Sequence, residues 1–112
     1  MKKILIIEDE PVVAINYAAI LRQGGYGVVS AATIDEAIFA LGEPGIDGAM
    51  LDMDLHGEPA DSVAVALRER MIPFVIVSGL PEDYIRARFG SVPLLTKPCR
   101  AVDLLEALRG MT

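Results

Sequence analysis

Cysteine and tryptophan are almost missing from this chain of 112 residues, which holds one Cys, Cys99, and no Trp. A lone thiol closes no internal disulfide, so stability must come from the core, as suits a reducing cytoplasm. Positive charge is also thin. Lys and Arg number 10 against 16 Asp and Glu, for a net charge of −6, and lysine occurs only at positions 2, 3 and 97. Without a basic cluster there is no expected nucleic-acid surface. Long apolar runs are missing as well. None approaches the ~18 residues of a membrane span, and only Ile4–Ile7 follow the opening Met-Lys-Lys. A secretory h-region needs roughly 7–15 apolar residues. A cytoplasmic chain with no membrane partner is therefore expected.

What the chain does have is apolar content, at 53%. It comes in short blocks punctuated by Gly, Pro and acids, a pattern of strands buried on both sides. Strands are expected at Ile4–Ile7, Gly27–Ala32, Ala49–Leu51, Pro73–Val77 and Val92–Leu95. Between them, Val12–Arg22 carries a helical pattern behind Pro11, which suits a first helical turn. Thr33 is an N-cap candidate with Glu36 completing a capping box, and Ile34, Ala37, Ile38 and Leu41 share one face of the helix that follows. Further helices are expected from about Ala60 to Arg70 and from Arg100 to Arg109, the last with Ala101, Leu104, Leu105 and Leu108 inward. Pro81–Phe89 reads as a short helical or irregular segment. Five β/α repeats with uniformly apolar strands predict one α/β domain over residues 1–112. Its expected form is a doubly wound, five-stranded parallel sheet of order 2-1-3-4-5 with helices on both faces.

In such sheets, ligands bind outside the carboxyl ends of the strands. Glu8, Asp9 and Glu10 follow the first strand, Asp52 and Asp54 the third, Ser78 the fourth, and Thr96, Lys97 and Pro98 the fifth. Crowded carboxylates repel unless a cation joins them, and oxygen-only ligands suit a hard ion such as Mg²⁺. A carboxylate can also act as a nucleophile toward phosphorus. Phosphoryl transfer needs positive charge and donors about the moving oxygens, which Lys97 and the Ser78 hydroxyl can supply. Ser78 has a bland alternative, capping the segment after it. His56 lacks a second soft ligand for a transition metal and is expected to be a solvent-facing loop residue. Cys99 is expected to be a small buried hydrophobe, and the five methionines core filler.

Four motifs, Ile6-Ile7-Glu8-Asp9-Glu10, Met50-Leu51-Asp52-Met53-Asp54, Val77-Ser78-Gly79 and Thr96-Lys97-Pro98, occur in order, each at the end of its own strand. Together they resemble the bacterial two-component response-regulator receiver family, the CheY-like domains, over nearly the whole chain. The resemblance implies a stand-alone receiver in a phosphorelay, with Asp52 the phosphoacceptor and Mg²⁺ the cofactor. Glu8, Asp9, Asp52 and the backbone carbonyl of Asp54 would bind the metal. Ser78 and Lys97 would hold the phosphoryl oxygens, assisted by the N–H groups of Met53 and Gly79, and the bond before Pro98 would be cis. The implied partners are a sensor histidine kinase or histidine phosphotransfer protein and a downstream protein.

Three departures stand out. Glu8 replaces the usual Asp, Leu94 occupies the position of the usual switch aromatic, and the stretch from Ser78 to Lys97 is short. Two other readings compete. Asp52-Met53-Asp54 also resembles the nucleophile motif of haloacid-dehalogenase-type phosphohydrolases, whose acidic pair follows the lysine. Here only Asp103 and Glu106 follow it. A pseudo-receiver interaction module would usually lose the aspartate or the lysine, and both are present. Flavin binding is disfavoured because no Ser/Thr-rich loop follows the first strand.

Overall fold

The computed structural model describes residues 1–55 and 57–112, with the backbone alone at Asp54. The chain runs β1 (Lys3–Ile7), α1 (Pro11–Gln23), β2 (Gly27–Ala31), α2 (Ile34–Leu41), β3 (Gly48–Asp52), β4 (Asp54–Leu55), β5 (Glu58–Pro59), α3 (Asp61–Glu69), β6 (Phe74–Ser78), α4 (Glu82–Phe89), β7 (Leu94–Thr96) and α5 (Ala101–Met111). Five strands form a parallel sheet of order β2-β1-β3-β6-β7. Counted among themselves they run 2-1-3-4-5, the expected doubly wound α/β order. The unexpected element is the small antiparallel ladder of β4 and β5, which sits in the connection between β3 and α3. Gly57 lies there at φ 78°, in the left-handed region that glycine enters without a Cβ clash.

Side chains on a strand alternate between faces, so a sheet covered on both sides needs apolar residues at every position. In β1, Leu5 and Ile7 join one buried cluster with Leu51, Ile76 and residues of α2, α3 and α4. Ile4 and Ile6 join the other, with Met50, Val75, Val77 and residues of α1 and α5. The unbroken Ile4–Ile7 run is thus two interleaved half-cores. Edge strand β2 is only partly covered, with Ser30 exposed.

The helix boundaries follow local chemistry. Pro11 opens α1. At α2 the Thr33 hydroxyl accepts the Glu36 N–H at 3.0 Å, and Glu36 reaches back to the Ala32 N–H at 2.8 Å, one residue before the cap. The short segment after β6 is helical, an eight-residue α4. Arg86 ties it to the Val92 carbonyl at 3.1 Å, and Arg88 to Asp61 at the start of α3.

Several sequence expectations need correction. Ile38 and Ala101 are exposed, because each lies at the margin of its helix's buried stripe. Met50 and Met53 are core residues, but Met1 and Met71 are almost fully exposed. Cys99 is half-buried. The last strand starts at Leu94 instead of Val92, because Pro93 has no N–H to give the ladder; its carbonyl instead accepts the Ile76 N–H at 2.9 Å. The expectation for His56 lies outside the described residues. Among the described residues, no helix is long and apolar enough to cross a membrane.

Candidate phosphoacceptor site

Strand register builds the site. Ile7 pairs with Leu51, which brings the next residues, Glu8 and Asp52, side by side at the carboxyl edge. Asp52 pairs with Val77 and Ser78 with Thr96. The Lys97 N–H then donates to the Ser78 carbonyl at 2.8 Å, which sets the start of the lysine side chain beside the acids. Residues distant in sequence therefore meet in a cleft of about 430 Å³ whose lining includes Glu8, Asp9, Asp52, Ser78, Gly79 and Lys97.

Inside this cleft, Glu8, Asp9 and Asp52 each offer a carboxylate oxygen within 4.8 Å of the others. The Lys97 ammonium lies 3.5 Å from Glu8 Oε1 and 3.6 Å from Asp52 Oδ1. Glu8 is the most deeply set, 4% exposed, and its other oxygen, Oε2, accepts the Asp9 N–H at 2.9 Å. Burial, then the hydrogen bond and negative charge of Asp52, push the Glu8 carboxyl up to about 7, with Lys97 pulling the other way. For Lys97, burial alone would lower the pKa, yet attraction to Asp52 and Glu8 outweighs it and the value is raised. One lysine therefore does not fully offset the packed acids. The donor set suits a small, hard, oxygen-seeking cation.

Ser78 is buried, and its Oγ accepts the Leu80 N–H at 2.9 Å. It thus performs the local turn role while lining the cleft, and its O–H remains a donor to a ligand. Met53 and Gly79 line the cleft too. Met53 buries its side chain in the core, which leaves its backbone to serve the site. Asp54 begins β4, paired with Pro59. The Lys97–Pro98 bond is cis. Leu94 pairs with Ile76 in β7 and packs half-buried against the core. Asp103 is held by Arg100 through two hydrogen bonds of 3.0 and 3.1 Å at the exposed start of α5. It does not line the cleft, so it cannot complete the acidic set of a haloacid-dehalogenase-type site.

Sequence reasoning missed Val13, Gly57 and Leu80, which also line the cleft, and Tyr17, which lines a small void behind it. Val13 and Tyr17 are one helical turn apart on α1, a spacing that places both on one face. That periodicity was the available signal, but apolar residues around it disguise which face meets the acids.

The chain matches the family described as "response regulator receiver domain" over residues 4–109. It is 29% identical over 117 residues to the phosphate regulon transcriptional regulatory protein PhoB of Klebsiella pneumoniae, covering 98% of this chain and 51% of PhoB. The chain thus spans about half the length of the curated relatives it matches. Among solved structures, SdrG from Sphingomonas melonis Fr1 is 35% identical with a TM-score of 0.85, covering 99% of this chain and 96% of SdrG. The receiver domain of sensor histidine kinase PA1611 from Pseudomonas aeruginosa was solved with a magnesium ion coordinated in its active-site cleft. It is 24% identical with a TM-score of 0.85, covering 98% of this chain and 96% of that one.

Proposed function

The chain belongs to the response-regulator receiver family, and from that premise we propose that it accepts a phosphoryl group on Asp52 from a phosphohistidine donor. The donor is a sensor histidine kinase or a histidine phosphotransfer protein. The observation that carries this reading is Lys97 poised 3.6 Å from Asp52 within a trio of acids. An aspartate there can act as nucleophile with a cation already beside it.

The Asp52 carboxylate attacks phosphorus, and the P–N bond of a protonated phosphoimidazole breaks. The electron pair stays on the leaving nitrogen, which departs as neutral imidazole. Lys97, now shared between Glu8 and Asp52, meets the transferred oxygens. The Ser78 hydroxyl and the N–H groups of Met53 and Gly79 donate to the same oxygens. Glu8, Asp9, Asp52 and the Asp54 carbonyl would hold Mg²⁺, which would supply the positive charge that phosphoryl transfer needs. The magnesium in the PA1611 receiver supports this assignment. Water later hydrolyses the acyl phosphate, so the chain is a phosphoacceptor that catalyses its own turnover. It works in the cytoplasm as a signalling module or phosphate shuttle that binds a downstream protein.

The test is incubation with Mg²⁺ and a small phosphodonor, read by intact mass and peptide mapping. One phosphoryl group is expected, on Asp52 and dependent on the metal. An unmodified mass, or modification at another residue, overturns the proposal. Steady turnover of a generic phosphatase substrate, dependent on Asp52, would favour the phosphohydrolase reading instead.

A further inference from the structure

The sheet has two edges, and β2 forms the one that takes no part in lining the phosphoacceptor cleft. It pairs with β1 alone. The Gly27 N–H donates to the Lys2 carbonyl at 2.8 Å, and the Ala31 carbonyl accepts the Glu8 N–H at 3.0 Å. Residues along a parallel strand turn their backbone groups to alternate sides. Val28 and Ser30 therefore direct theirs away from β1, where no described strand receives them. An open edge of this kind is a template for another extended chain.

Beside this edge lies a groove of about 540 Å³ between β2 and α2. Val29, Ala40 and Ile46 form its apolar floor, each partly buried against the core. On the helix side Asp35, Phe39 and Glu43 line it, four residues apart and so on one face. The helical course reaches Glu43, because Gly42 is in the right-handed conformation and the Glu43 N–H donates to the Ala40 carbonyl at 3.2 Å. The stripe reads acid, aromatic, acid over about 12 Å at the helical rise. Phe39 is 78% exposed, so its ring is presented and not packed. Glu36 is held by the Ala32 N–H at 2.8 Å. Among the described residues, neither Asp35, Glu43 nor Lys3, the one cation on the rim, forms an ion pair.

We propose that this groove docks an extended segment of a partner protein, with a large apolar residue between two basic ones at positions i, i+2 and i+4, which adds to β2 as a sixth strand. Four residues of strand span about 13 Å, and alternate residues share a face. The two bases then meet Asp35 and Glu43, and the apolar side chain meets Phe39. The segment's backbone bonds to the open groups of Val28 and Ser30, while the side-chain stripe selects its sequence. A second copy of this chain is the wrong occupant. It carries a net charge of −6, and no two of its Lys or Arg residues are four apart. The inference does not depend on what Asp52 does.

The test is an NMR titration of the ¹⁵N-labelled full chain with a blocked peptide containing Lys-Thr-Leu-Thr-Lys. Counterparts with Glu in place of both Lys, and with Ser in place of Leu, serve as comparisons. The first peptide is expected to give saturable shifts at residues 28–30 and along α2, and to slow hydrogen exchange at the Val28 and Ser30 amides. Each counterpart should bind about tenfold more weakly or not at all, and so should the first peptide to Phe39→Ser, the scale of losing an interface anchor. Asp35→Lys combined with Glu43→Lys should reverse the preference, in favour of the Glu peptide. Absence of shifts at β2 and α2, or shifts confined to the acidic cleft, overturns the inference. So does undiminished binding to Phe39→Ser. A Phe39-dependent dimer of the peptide-free chain in sedimentation would assign the groove to a second copy and overturn it as well.

Discussion

The acidic and cationic halves of the cleft are built differently. Glu8 and Asp52 extend from β1 and β3, central strands whose residues Ile4–Ile7 and Ala49–Leu51 are essentially inaccessible to solvent. Lys97 extends from β7, a half-covered strand at the sheet edge, paired on one side only. The carboxylates are therefore placed by fully buried strands, and the cation by a strand whose Leu94 and Leu95 are only partly buried against the two clusters. The backbone leading to the acids is paired on both sides, whereas that leading to the lysine is paired on one. The proposed phosphoacceptor site, which would exchange an empty carboxylate for a phosphorylated one, would gain from that division.

The largest test of this contrast is at the chemistry. Asp52→Asn should abolish phosphorylation by a small phosphodonor, because the nucleophile is gone, while circular dichroism stays native. Lys97→Ala should retain the acceptor but slow its modification about 10²-fold, the scale seen when one charged or hydrogen-bonding stabiliser is removed. Equal loss in the two variants would break the distinction between nucleophile and stabiliser.

Stability comes next. Leu51→Ala, in the fully buried β3, should cost about 2–5 kcal/mol in denaturant unfolding, as deletions in packed cores do. Leu94→Ala in half-covered β7 should cost visibly less. A comparable loss would mean that the edge strand is as deeply integrated as the centre.

Hydrogen exchange and thiol chemistry sharpen the comparison further. Amides of β1 and β3 should exchange only through global unfolding, and those of β7 through local opening. Burial raises the Cys99 thiol pKa, so less thiolate forms at a given pH than for a free cysteine. Alkylation at pH 8 should be slow in the folded chain, accelerate as pH rises, and jump on unfolding.

The smallest effect lies far from the cleft. Met71 follows α3 with φ 57°. The Ile72 N–H reaches the Leu67 carbonyl at 2.9 Å and the Met71 N–H reaches that of Arg68 at 3.0 Å, a helix-ending turn that prefers glycine. Met71→Gly should raise stability by about 0.5–1 kcal/mol and leave phosphorylation unchanged. A changed rate would show that the cleft is coupled to the opposite end of the sheet.

Much of this was legible in the chain. Short apolar blocks ending in acids, serine or lysine located the sheet strands and the chemistry together, because a strand buried on both faces has no room for charge until it leaves the core. Thr33 and Glu36 announced the start of α2 through side-chain chemistry that acts within one helical turn. Less legible was anything that depends on which neighbour covers a surface. Ile38 and Ala101 fit their helical stripes as well as their buried neighbours do, yet both are left exposed. The β4–β5 ladder is too short for a periodic signal, and its glycine and proline read as simple breaks. Tyr17 reads as one more residue of its helix, since the void it lines with Glu8, Asp52 and Lys97 exists only in the folded chain.

The sequence by itself determined the doubly wound architecture and the set of candidate reactive groups, because apolar patterning and side-chain chemistry are local properties of the chain. Only the tertiary structure decided that Glu8 is the deepest acid of the cleft, that Lys97 is shared between two carboxylates, and that Tyr17 lines a small void with all three. Those facts depend on strand register and on the packing of α1 against the sheet, distances between residues that no local pattern encodes.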